Sequence, residues 1–241
     1  MPRTLTLLLV FALLAGCAAD ARAQSGVRLQ QQQPPAAPPR NIDTAEAQQS
    51  CERGHELVNG DTSAARETLG RGLKLYIDAY IRNAPAGPGR AVATDFRETM
   101  RARLKGAPPC VDDYLRVGGA DGFERAQLEA FRAHALLFAE TDESRAIYLS
   151  AEVDERAHIT RKPEPGFPAG ARGKLSRGTV RLRAVLAADG TVQHPFVLKG
   201  VAYGFSELCV AAARKIQFTP SVRNGRPVSQ FVTLEYNFST Y

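Results

Sequence analysis

The chain has 241 residues, 44% of them hydrophobic, and a formal net charge of +6 at pH 7. This length and composition suit a soluble globular protein of one or two domains. Its four cysteines form no Cys-x-x-Cys pair, which excludes a redox site of the thioredoxin type and a zinc ribbon.

The N-terminal residues 1–23 have the pattern of an export signal. Arg3 precedes an apolar run over residues 5–14, which is shorter than the roughly 20 residues that cross a bilayer. The segment that ends at Cys17 resembles a bacterial lipobox, which implies a lipid on Cys17 and attachment of the protein to the outer membrane. Cleavage after Ala23 would instead release a soluble periplasmic protein, and an uncleaved segment would be an inner-membrane anchor. All three alternatives place the folded part outside the cytoplasm, so no nucleic-acid partner is expected.

Residues 24–43 are predicted to be an extended tether. The run over residues 30–39 contains only Gln, Pro and Ala, and such a low-complexity tract forms no packed core. At ~3.3 Å per residue, a fully stretched chain from residue 17 to residue 43 reaches some 80–90 Å.

Residues 44–156 are predicted to form an all-α unit, because apolar side chains recur there every three or four residues. Thr62 or Ser63 is the predicted N-cap of the second helix, and Thr94 is that of the third. The predicted helices lie near 45–58, over 62–84, 94–105 and 122–140, and near 143–153.

The cysteines have different predicted roles. Cys51 and Cys110 both lie in the helical unit, and export to an oxidising compartment favours a disulfide between them. Cys209 lies on the apolar stripe of a C-terminal helix, where a free cysteine packs as a small hydrophobic side chain.

The sequence contains no pattern that is typical of a catalytic, cofactor or metal site. His55, His134, His158 and His194 lack the spacing of metal ligands, and there is no phosphate loop or Gly-x-Ser-x-Gly turn. We therefore expect a binding protein without a cofactor rather than an enzyme.

Residues 163–238 show the alternation of β-strands around one amphipathic helix. Strands are predicted over 179–186 and 191–199, joined at Asp189-Gly190, a dipeptide typical of tight hairpins. Pro195 places the second strand at a sheet edge, because proline lacks a backbone donor. A helix over 205–216 and a last strand over 229–238 complete the pattern. The predicted fold class is α+β, a ββαβ domain within residues 160–241 with a three-stranded antiparallel sheet and one packed helix.

Five landmarks occur in a fixed order along this segment. They are Gly178-Thr179-Val180, Asp189-Gly190, Phe218-x-Pro220, Asn224-Gly225-Arg226-Pro227-Val228 and Val232-x-Leu234-x-Tyr236-x-Phe238. Together they resemble the C-terminal domain of TonB energy-transducing proteins over residues 163–238. The chain departs from those transducers because its apolar N-terminal run is short and lacks a histidine, and because Phe167-Pro168 replaces the usual Tyr-Pro.

The resemblance implies a binding mode for the last strand. In related domains this strand is a sheet edge that pairs with a short segment of an outer-membrane receptor by strand addition. The segment here contains no proline and only one acidic residue, so it is poorly protected against such pairing. The alternative is an edge covered by the helical unit or by the C-terminal tail. The predicted partner-binding residues are Ser229, Phe231, Val232, Thr233, Leu234, Glu235, Tyr236, Asn237 and Phe238.

Charge is divided unevenly between the two predicted units. Residues 41–159 contain 15 basic and 20 acidic side chains, whereas residues 160–241 contain 12 and 4. The basic C-terminal part would attract an anionic partner. The leading hypothesis is a periplasm-facing envelope lipoprotein that pairs with a partner by strand addition alongside TonB-dependent transport. The alternatives are an energy transducer with an uncleaved anchor and a structural protein that holds peptidoglycan.

Overall fold

The computed structural model describes residues 44–83, 90–143, 145–168, 171 and 177–239. The predicted signal, the tether and the lipidation site Cys17 lie outside these residues. Within the described ranges, no helix is both long enough and apolar enough to cross a membrane.

Five helices come before the main sheet, and their ends correct two predicted caps. The carboxylate of Asp61, and not Thr62 or Ser63, caps the second helix by accepting the backbone N–H groups of Ser63 and Ala64. The third helix begins at Arg90, so Thr94 lies inside it and is not its cap. The helices are α1 (Ala45–Leu57), α2 (Thr62–Arg82), α3 (Arg90–Leu104), α4 (Ala107–Val117) and α5 (Gly122–Ala139).

Two segments adopt structures that the periodicity does not predict. Helix α4 begins beside Pro108 and Pro109, and prolines in the first turn are tolerated because the N–H groups there have no partner within the helix. The predicted helix near 143–153 is wrong: the chain forms turns and a short strand, β1 (Ile147–Tyr148). Tertiary contacts of this strand, described below, override its local helical preference.

The remaining elements are β2 (His158–Arg161), β3 (Arg177–Leu186), β4 (Val192–Lys199), α6 (Phe205–Ala213), β5 (Gln217–Thr219), β6 (Ser221–Arg223) and β7 (Arg226–Ser239). The main sheet has the strand order β1-β7-β3-β4, and its pairs β3–β4 and β3–β7 are antiparallel. The strand β4, which contains Pro195, lies at one end of this order, as predicted. A short strand β6 pairs with the beginning of β7, and β2 with β5 forms a separate ribbon. The α+β class and the ββαβ core are therefore as predicted.

The main sheet is packed on both of its faces. Helix α6 covers the face that carries Leu182 and Leu234, which confirms the predicted apolar alternation. The opposite face contributes Phe231 to the core of the helices, where its ring stacks on that of Phe138 with centroids 4.9 Å apart. The described helices and strands belong to one compact unit. The division into domains at 44–156 and 160–241 stays a prediction.

The structure contains the disulfide between Cys51 and Cys110, which joins α1 to α4 with a Cα–Cα distance of 5.4 Å. Cys209 is free and lies on the buried face of α6. Burial raises the pKa of the Cys209 thiol to about 12, so almost none of it is thiolate at neutral pH.

We expect thiol reagents to find no reactive cysteine among residues 44–239 of the native protein without reductant. Unfolding without reduction should expose one thiol, Cys209, because the disulfide protects the other two cysteines. Mass spectrometry of peptides after iodoacetamide treatment measures this, and carboxamidomethylation of Cys51 or Cys110 before reduction would contradict the pairing.

Candidate functional site

The outer edge of β7, the edge that faces away from β3, is only partly covered. Strand β1 pairs with it in parallel, with Ile147 opposite Ser229 and Tyr148 opposite Gln230. Ser229, one of the predicted partner-binding residues, thus lies beside β1. Beyond Gln230, no strand formed by the described residues pairs with this edge.

An ion pair holds β1 in place. The Arg97 guanidinium lies 2.7 Å from the Glu152 carboxylate and also donates to the backbone carbonyl of Ile147. The same carboxylate accepts the N–H of Leu149 at 2.6 Å. Both charged side chains are largely buried, so these bonds are shielded from water and fix the end of β1.

These bonds also show which backbone groups of β7 point outward. Arg97 donates to the backbone carbonyl of Ile147, and Glu152 accepts the N–H of Leu149, so these two backbone groups do not bond to β7. The backbone hydrogen bonds between β1 and β7 are therefore made by Tyr148. In this parallel pair, the backbone N–H and C=O of Tyr148 bond to Ser229 and Phe231, the two residues on either side of Gln230. Backbone groups alternate in direction along a strand, so the N–H and C=O of Thr233, like those of other odd-numbered residues, point to the outer edge.

A contact near the other end of β7 agrees with this direction. The Lys162 ammonium donates to the backbone carbonyl of Glu235, another odd-numbered residue, and lies 4.3 Å from the centroid of the Tyr236 ring. Tyr236 is buried on the α6 face, and burial raises the pKa of its phenol to about 12. The buried ring of Tyr236 therefore holds this end of the outer edge of β7 in position.

The side chains beside the unpaired edge follow the predicted alternation. Thr233 and Asn237 are exposed, whereas Leu234 and Tyr236 pack under α6. In the register with β3, Glu235 lies opposite Arg181, and Thr233 lies opposite Arg183. The structure thus places Thr233 and Asn237 along the unpaired backbone edge, with Arg181 and Arg183 on the neighbouring strand.

Sequence reasoning missed Gln230, Lys162 and the whole of β1. Gln230 is 2% exposed, its amide N–H donates to the Ser150 hydroxyl at 2.8 Å, and its carbonyl accepts the N–H of Ala157 at 2.9 Å. The sequence does contain a signal for Gln230, because this residue alternates with Val232 and Leu234 and so lies on the same apolar face of the strand. Such a position indicates a buried amide that needs partners from another segment.

The described part of the chain has no group of three or more His, Cys, Asp or Glu side chains that could hold a metal ion. Two of the scattered histidines have structural partners: His55 lies 2.6 Å from Asp113, and His134 lies 2.7 Å from the Tyr80 hydroxyl. Burial lowers the pKa of His134, which keeps this imidazole neutral.

Comparison with known proteins gives two findings for the C-terminal part. The family described as Gram-negative bacterial TonB protein C-terminal matches residues 163–240. The solution NMR structure of the Pseudomonas aeruginosa TonB C-terminal domain is 25% identical, covers 36% of this chain and 89% of its own, and has a TM-score of 0.31. The search of curated proteins found no match.

Proposed function

We propose that the chain is a periplasm-facing binding protein of the cell envelope, because the TonB C-terminal family matches residues 163–240. It pairs with the periplasmic segment of a TonB-dependent outer-membrane receptor by strand addition at the outer edge of β7. The observation that carries this proposal is the edge beyond Gln230, which no described strand covers.

The proposed pairing follows from the direction of the backbone groups. A partner strand would bond to the outward groups of Thr233 and Asn237 and would extend the line that β1 occupies beside Ser229. The packing of Tyr236 and Leu234 under α6 keeps this edge in its strand conformation before the partner binds. A preformed edge reduces the ordering entropy that binding costs, which favours a short, flexible partner segment.

The anchoring proposed from the sequence fits this role. A lipid on Cys17 and the tether over residues 24–43 would keep the edge close to the periplasmic face of the outer membrane. Ordinary cleavage after Ala23 would give a soluble periplasmic protein with the same binding edge. A second candidate function, retention on peptidoglycan, is favoured by the excess of basic residues in 160–241, which number 12 against 4 acidic ones.

Photocross-linking in cells tests the proposed function. We expect a photoreactive residue at Asn237, which is exposed on the unpaired edge, to form an adduct with an outer-membrane receptor. The matched control is the exposed Lys199 on β4, at the opposite end of the sheet. Mass spectrometry identifies the captured segment.

Two results would contradict the proposal. One is equal capture of the receptor from position 199, which would make the edge of β7 irrelevant. The other is an adduct of position 237 with peptidoglycan and with no receptor, which would favour the second candidate.

A further inference from the structure

A lysine ammonium lies on the part of the β7 edge that a partner strand would use. The Lys162 ammonium donates to the outward carbonyl of Glu235, and Glu235 is midway between Thr233 and Asn237 along the strand. A strand that pairs with both Thr233 and Asn237 must therefore run past this ammonium. The side chain of Lys162 is exposed, so a partner can reach it.

Two contacts fix the position of the ammonium. One is the hydrogen bond to the Glu235 carbonyl. The other is the ring of Tyr236, whose centroid lies 4.3 Å from the ammonium nitrogen and which packs under α6. Cation–π attraction holds the ammonium over the face of this buried ring. The positive charge is therefore held at a defined point on the α6 side of the edge.

The charge of Lys162 is not neutralised by a neighbouring acid. No carboxylate of the described residues forms an ion pair with it. The side chain of Glu235 alternates to the opposite face of the sheet from Tyr236, where Asn237 donates to its Oε1 at 3.4 Å. An ammonium carries three donors, so donors of Lys162 remain for a partner.

This arrangement favours an acidic residue in an added strand. The backbone N–H of such a strand competes with Lys162 for the Glu235 carbonyl. A displaced ammonium loses a charge-assisted hydrogen bond and stays close to the added strand. A carboxylate on that strand compensates for the loss with an ion pair, whereas a neutral side chain does not and a basic one repels the ammonium.

We propose that the partner segment carries an aspartate or a glutamate beside Tyr236, on the α6 face, and that Lys162 recognises this carboxylate. The inference rests on the proposed strand addition and names the chemistry of the added strand. Lys162 then determines specificity in two ways. It occupies the Glu235 carbonyl when no partner is bound, and it disfavours neutral and basic strands.

Fluorescence anisotropy with a labelled heptapeptide tests the role of Lys162. The probe is Thr-Val-Thr-Asp-Thr-Val-Thr with blocked termini and an uncharged fluorophore, so that the aspartate carries its only charge. In a strand, the aspartate and the valines share one face. We expect this peptide to bind the folded chain about three- to fivefold more tightly than the analogue with Asn, as is typical of an exposed ion pair. The analogue with Lys should bind more weakly than both.

Three variants locate the preference. Lys162→Gln should bind the Asp and Asn peptides within about twofold of each other, because the recognising charge is lost. The matched control is Arg161→Gln, which removes the charge of the neighbouring exposed residue and should keep the preference. Thr233→Pro should weaken the binding of both peptides, since both pair with the same edge. Circular dichroism and urea unfolding establish that each variant is folded.

The failure of this inference and the failure of strand addition give different results. Equal binding of the Asp and Asn peptides by the wild type, or a preference that persists in Lys162→Gln, would overturn the role of Lys162 and leave strand addition intact. If no peptide bound, or if Thr233→Pro bound them like the wild type, strand addition at this edge would itself be contradicted.

Discussion

Replacing Leu234 by proline is expected to destabilise the protein by more than about 4 kcal/mol, whereas the same change at Thr233 should cost less than about 1.5 kcal/mol. Leu234 is 4% exposed and lies opposite Leu182, with its backbone groups directed to β3. Proline there would remove a donor from the ladder and leave a cavity under α6. At Thr233 the lost donor points to the outer edge and the side chain is exposed.

Urea unfolding monitored by circular dichroism measures both changes. Leu234→Ala is the control for the loss of side-chain volume, so the difference between the alanine and proline variants isolates the backbone effect. If Thr233→Pro were the more damaging variant, the assignment of outward groups to odd-numbered residues of β7 would be incorrect.

Removal of the disulfide should reduce the free energy of unfolding by roughly 3–4 kcal/mol. The bond joins cysteines 59 residues apart and restricts the unfolded chain, because it closes a long loop between α1 and α4. We expect this loss in the variant with both Cys51→Ala and Cys110→Ala. Alanine is the suitable replacement because both cysteines are buried, and serine would add buried hydroxyl groups.

The measurement is urea unfolding of this variant and of the wild type, each on a Cys209→Ala background to prevent exchange of thiols. Addition of reductant should lower the stability of the wild type and leave that of the variant unchanged. A change of less than about 1 kcal/mol in the variant would show that the disulfide restricts the unfolded chain little.

The sheet and α6 could be predicted because local signals there agree with the tertiary structure. Strict alternation over Val180, Leu182 and Leu186 marks a strand with one face under a helix, and Asp189-Gly190 marks the hairpin. Pro195 marked the strand at the end of the sheet. Each of these signals is carried by residues close together in the sequence.

The partial cover on β7 could not be predicted, because it depends on contacts between distant residues. Strand β1 is two residues long, and Arg97, which lies 50 residues before Ile147, holds it in place. The site of the N-cap at Asp61 was missed for a smaller reason: Asp61, Thr62 and Ser63 are all good capping residues, and only the backbone geometry selects one.

The central claim is that a partner strand pairs with the outer edge of β7, and a binding measurement with proline at position 233 tests it most directly. The receptor segment captured by cross-linking at Asn237 is made as a fluorescent peptide and titrated with each folded variant. The account predicts that Thr233→Pro binds at least about tenfold more weakly than the wild type, because it removes an outward donor. Thr233→Val, which keeps that donor, should bind within about twofold. Equal affinity of the wild type and the proline variant would contradict strand addition at this edge.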